Sequence, residues 1–215
     1  MNYFPKNKTN ESEIRRFVVI YYIVGVVGFI LPFTRGLFTA LIPISLLISV
    51  YLVILYNNNY NFFSVAGMIS VFFLGYIIEV IGVQTGQIFG RYIYGNALGP
   101  KLFGVPLIIG INWLILSYAS VSLLNQFKIR KPLALFLAPL LMVFYDFFLE
   151  QVAGKLDMWY WENLDAPVNN YIAWYIAGFV MVLILLVARV NFKNSVAPVI
   201  FSSQFAFFFL LSYLI

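Results

Sequence analysis

The chain has no cysteine and no histidine among its 215 residues, and only 10% of its side chains are charged. Without cysteine there is no disulfide, no thiolate nucleophile and no sulfur-ligated metal. Without histidine there is no imidazole base, no His-ligated haem and no His-rich di-iron centre of the membrane hydroxylase or ketolase kind. Carboxylates are the groups left for acid–base work near neutral pH. Apolar surface is abundant instead: 63% of residues are hydrophobic and 20% aromatic, with 23 Phe and 15 Tyr. A mean hydropathy of +0.93 lies outside the range of soluble domains and marks an integral membrane protein. The net charge of +5 fits membrane orientation better than an anionic partner, and no nucleic-acid partner is expected.

Apolar runs of about 17–22 residues match the length that a hydrocarbon core of roughly 30 Å demands. They cover Phe17–Phe33, Leu37–Tyr56, Phe62–Val83, Val105–Leu124, Pro132–Ala153, Tyr171–Ala188 and Val196–Ile215. The expected fold is therefore all-α, a polytopic membrane helix bundle of about seven transmembrane helices. Residues 1–16 are polar and charged and read as a tail; residues 17–215 read as one transmembrane helical domain. No small-residue cleavage site follows the first apolar run, so it reads as a retained helix. An Asn57-Asn58-Asn59 turn separates the second and third runs.

Basic residues set the expected orientation. With a cytoplasmic N-terminus, Lys6, Lys8, Arg15, Arg16, Lys128, Arg130, Lys131, Arg189 and Lys193 fall inside, and Arg35, Arg91, Lys101 and Lys155 outside. This asymmetry predicts N-in/C-out topology; the expected location is a prokaryotic cytoplasmic membrane.

Glu79, Asp146 and Glu150 sit inside these apolar runs. An acid at the middle of a membrane helix costs about 2.5–3.5 kcal/mol on insertion scales, so such residues face a protein interior and are functional by default. Snorkelling toward the interface is the plainer reading for Glu79 and Glu150; Asp146 lies deeper. Asp146 and Glu150 are one helical turn apart and share a face. The expected topology brings the three acids to the outer half of the bundle, with Asn112, Trp113, Trp159, Trp161 and Trp174 and the two longest polar connections, Gln84–Gly104 and Gly154–Asn170. The tryptophans read either as pocket walls or as interfacial anchors, and Arg91 as a substrate contact or a counter-ion to Glu79. The glycines of Thr85–Pro100 suggest a loop or hairpin folded over a cavity mouth.

The ordered block Glu79-x-x-Gly82-Val83-x-Thr85-Gly86-x-x-Phe89-Gly90-x-Tyr92-x-Tyr94, then Leu98-Gly99-Pro100 and Gly104-Val105-Pro106 before Asn112-Trp113, resembles the carotenoid-biosynthesis membrane family of carotenoid 1′,2′-hydratases. A second block agrees: Asp146-Phe147-Phe148-Leu149-Glu150, Val152-Ala153, Trp159-x-Trp161 and Pro167-x-Asn169-Asn170-Tyr171-x-Ala173-Trp174. Together they span about residues 75–178. The chain departs from the family pattern at Gln151, where proline is usual, and at Asp165-Ala166.

The resemblance implies addition of water across the terminal double bond of an acyclic carotenoid end group, through a tertiary carbocation. It implies Asp146, Glu150 and Glu79 as the acid–base groups. Trp113, Asn112, Tyr92, Tyr94, Arg91, Trp159, Trp161, Asn170 and Trp174 are the implied substrate-binding set. Carotenoid and membrane lipids are the expected partners, with other carotenoid-pathway enzymes as further candidates; no cofactor or metal is expected. A cyclase or isomerase would begin with the same protonation and exclude water, so product mass separates the two. A proton-coupled carrier needs polar sites across the inner half, which the runs lack. A retinal protein needs a Schiff-base lysine, and Val196–Ile215 contains none.

Overall fold

The computed structural model describes residues 9–57 and 59–215. Half of the expected N-terminal tail, residues 1–8 with Lys6 and Lys8, lies outside the described residues, as does Asn58 of the expected turn. Each of the seven apolar runs is largely helical, although the fourth opens with a short strand before its helix begins at Ile109. Helix α1 (Glu11–Ile30) begins where the Asn10 side chain accepts from the backbone N–H of Ser12 at 3.0 Å; residues 11–16, read as tail from sequence, form its first turns. The second run is broken into α2 (Pro32–Ala40) and α3 (Ile42–Leu55), which meet at 53°. Proline in the first turn of each begins a new helix and disfavours continuation of the old one.

Helix α4 (Phe62–Thr85) opens with an Asn61–Ser64 capping box and closes at Gly86, whose φ of 67° gives a left-handed cap. Then come β1 (Tyr92–Tyr94), β2 (Lys101–Leu102), β3 (Val105–Pro106) and α5 (Ile109–Gln126). Helix α6 (Lys131–Ala153), β4 (Trp159–Trp161), α7 (Val168–Val187) and α8 (Ala197–Leu214) complete the chain. The short strands form two antiparallel ribbons, β1 with β4 and β2 with β3.

Helices α4, α6, α7 and α8 are long and apolar enough to cross a membrane, and counting the bent α2–α3 pair makes five spans. Helix α1 carries Glu11, Glu13, Arg15 and Arg16, and α5 carries Asn112, Asn125 and three serines, so both fall short of that measure. The polarity of α5 has a structural reason. It is the central post, packed against α3, α4, α6, α7 and α8, and every residue from Trp113 to Ser122 is buried. A helix enclosed by protein needs no apolar face for lipid. The outer helices show the opposite pattern. On α4, Val65, Ile69, Phe73, Ile77 and Ile81 recur every fourth residue and are exposed, while Gly75, Glu79 and Gly82 are on the buried side. An exposed apolar stripe of that length is suited to lipid.

Candidate active site

The site forms at the end of the bundle that carries the ribbons, where α4 and α6 finish and α5 and α7 begin. The β1–β4 register pairs Tyr92 with Trp161 and Tyr94 with Trp159. Strand alternation puts those four rings on one face and Ile93 and Tyr160 on the other. Tyr92 meets Trp161 with ring centroids 4.9 Å apart, and Tyr94 meets Trp159 at 6.1 Å. Beneath them Trp113 of α5 lies against Trp174 of α7, centroids 4.3 Å apart. Gly75 makes that packing feasible: a Cβ there would lie 2.6 Å from Trp113 Cβ.

These rings present their polar atoms to the acids. Glu79 Oε2 accepts from the hydroxyls of Tyr92 at 2.5 Å and Tyr94 at 2.8 Å, and Oε1 accepts from Trp113 Nε1 at 2.9 Å. Burial, and then the adjacent Glu79 carboxyl, pushes both phenols well above the usual tyrosine range, so they remain protonated donors at neutral pH. Glu150 Oε2 accepts from Trp161 Nε1 at 2.7 Å and Trp159 Nε1 at 3.0 Å. Asn170 joins the other two acids, its Nδ2 donating to Asp146 Oδ2 at 2.8 Å and Glu150 Oε1 at 3.3 Å. Asp146 Oδ1 is buried with no hydrogen-bond partner among the described residues.

Glu79 and Glu150 open onto one cavity, walled by Tyr92, Tyr94, Trp113, Trp159, Trp161 and Trp174 and reached by Asn112 and Asn170. Its volume is about 30 Å³, room for a water or two, since one needs roughly 10–15 Å³ on this measure. A larger apolar pocket of about 140 Å³ abuts it, and Ile109, Asn112 and Trp159 line both. Asp146 lines neither. Its helix neighbours Tyr145 and Leu149 line the apolar pocket and Glu150 lines the cavity, which sets Asp146 in the partition between the two spaces. The Asn112 side chain also lies at the junction, without a hydrogen-bond partner among the described residues.

Of the twelve residues singled out from sequence, eleven converge here. Arg91 does not: its side chain is 74% exposed and reaches Glu162 at 3.9 Å. The two cavity-lining residues missed are Phe89 and Ile109. Phe89 had a signal in Gly82, because a Cβ at Gly82 would lie 2.6 Å from its ring; Ile109 is one apolar residue among many. Among the described residues, no group of three acids is placed to hold a metal ion.

Residues 36–215 match the family described as carotenoid biosynthesis protein. The chain belongs to that family. A bisanhydrobacterioruberin hydratase from Haloarcula japonica is 30% identical to it over 125 residues, covering 54% of this chain and 43% of the relative. The chain thus spans less than half the length of that curated relative. No solved structure matches this family member at a significant level.

Proposed function

We propose that this family member is a carotenoid hydratase, adding water across the terminal C1′=C2′ double bond of an acyclic end group. The observation that carries the reading is two carboxyls, Glu79 and Glu150, on a water-sized, aromatic-walled cavity beside an apolar pocket, with a third, Asp146, linked to Glu150 through Asn170. The hydratase name of the Haloarcula relative supports the same reaction class.

An isolated alkene is a weak base, so its proton donor must be held close in a dry site. Asp146 is that donor, carrying its proton on Oδ1, the oxygen free of Asn170. Protonation of the less substituted alkene carbon leaves the cation on the tertiary carbon. The faces of Trp113, Trp174 and Tyr92 stabilise it, by roughly 0.5–2 kcal/mol each. Water placed by Asn112 and Asn170 attacks the cation and gives its surplus proton to Glu150. Glu150 returns that proton to Asp146 across the pair joined by Asn170, so the cycle closes without net proton uptake. Glu79 anchors Tyr92, Tyr94 and Trp113 and supplies negative charge opposite the cation. The polar lining of the small cavity favours capture by water over the ring closure of a cyclase.

On the same reading the chain crosses a prokaryotic cytoplasmic membrane seven times, N-in/C-out. Lys128, Arg130, Lys131, Arg189 and Lys193 then occupy the cytoplasmic end, opposite the ribbons, in line with the positive-inside rule. Expression in a host that accumulates lycopene tests the activity. Pigment heavier by one water per reacted end is the expected result; unchanged pigment, or an isomer of unchanged mass, refutes it.

A further inference from the structure

The apolar pocket contains a polar group that the hydration chemistry does not use. Gln204 of α8 lines the pocket, is 3% exposed, and its Oε1 has no hydrogen-bond partner among the described residues. Its surroundings explain why nothing in the protein supplies the missing donor. Ser49 Oγ donates to Ser45 O at 2.8 Å. With its own proton committed, Ser49 accepts from the Tyr22 hydroxyl, 3.1 Å away. Gln204 stands beside that same hydroxyl, but the phenolic proton is engaged by Ser49. The Tyr22 proton is thus directed to Ser49 and the Ser49 proton to the Ser45 backbone carbonyl, and the Ser45 side chain is turned to the Tyr22 hydroxyl, which leaves the Gln204 carbonyl as a desolvated acceptor. Buried acceptors are rarely left so. Apart from Asn112 at its junction with the small cavity, the pocket offers the waiting acceptor of Gln204, which suits an apolar ligand that brings one O–H.

We propose that this pocket seats an isoprenoid segment bearing a hydroxyl group, which donates to Gln204 Oε1. That the ligand is an isoprenoid rests on the proposed function; the need for a donor rests on Gln204 and its neighbours alone. The consequence is selectivity: chains that already carry an alcohol near the reacting end are preferred over plain hydrocarbons.

The test is a pair of titrations of the full chain in detergent, following tryptophan fluorescence, since Trp159 lines the pocket. The probes are geraniol and 2,6-dimethylocta-2,6-diene, the same skeleton without the hydroxyl. Geraniol is expected to bind about tenfold more tightly, the scale of one net hydrogen bond. Gln204→Leu is expected to bring the ratio to about one while diene affinity stays within about twofold. Ser49→Ala provides a second route that leaves Gln204 in place. It frees the Tyr22 proton to turn to Gln204, and the geraniol preference is expected to fall there too. Equal affinities in the unmodified protein, or a preference that survives both substitutions, overturns the proposal. Asp146→Asn distinguishes this from the hydration reading. A tenfold ratio without hydration of any pigment sinks only the reaction, and hydration with a ratio of one sinks only the alcohol subsite.

Discussion

Glu79 on α4 and Asp146 on α6 are both buried carboxyls at the same end of the bundle, 4% and 0% exposed, yet their surroundings are opposites. Glu79 receives three donors on its two oxygens. Asp146 receives one, and its second oxygen meets no partner among the described residues. A carboxyl saturated with donors is held still and holds others still: removing it strands two hydroxyls and an indole N–H. A carboxyl with a bare oxygen beside an apolar pocket has spare capacity, which a fold would dispense with if packing were its only task. On the proposed function, Glu79 organises the chamber and Asp146 supplies the proton.

The contrast is sharpest in what each substitution should damage. Asp146→Asn keeps an oxygen for the Asn170 bond, so folding should be almost unaffected while hydration falls by about 10²–10⁴-fold. Pigment analysis alongside thermal denaturation in detergent measures both, and a variant with full activity would remove Asp146 as donor. Glu79→Leu should show the reverse emphasis. Three buried donors lose their acceptor at about 1–3 kcal/mol each, so stability should drop by about 3 kcal/mol or more, with activity falling as the aromatic wall loosens. Unchanged stability in Glu79→Leu would erase the distinction between the two acids. The smallest effect is expected at Arg91, whose partner lies at 3.9 Å on an exposed surface. Arg91→Ala should shift stability by less than about 0.5 kcal/mol and leave product yield intact.

The features legible from sequence were local ones. The apolar runs became helices because a polar backbone in lipid must bond to itself. Asp146 and Glu150 share a face because helix periodicity places them there. What sequence hid was set by distant partners. The break between α2 and α3 was outvoted by continuous hydropathy, although Pro43 marked it. Arg91 invites pairing with Glu79 as a nearby opposite charge, but it lies just before β1 and points to solvent. The pairing of β1 with β4 joins segments more than sixty residues apart, and only the alternation in Tyr92-Ile93-Tyr94 and Trp159-Tyr160-Trp161 hinted at it. Gln204 bore the same mark as the acids, a polar residue in an apolar run, and is the plainest omission.

The three-residue ribbon that unites Tyr92, Tyr94, Trp159 and Trp161 also governs what changes the chain can tolerate. Because successive strand residues point to opposite sides, a slip of one position would turn Ile93 inward and evict both tyrosines of β1, or turn Tyr160 inward and evict both tryptophans of β4. Deleting or inserting a single residue within either strand is therefore far more disruptive than replacing one. Length, more than composition, is what inheritance must preserve in those two short segments.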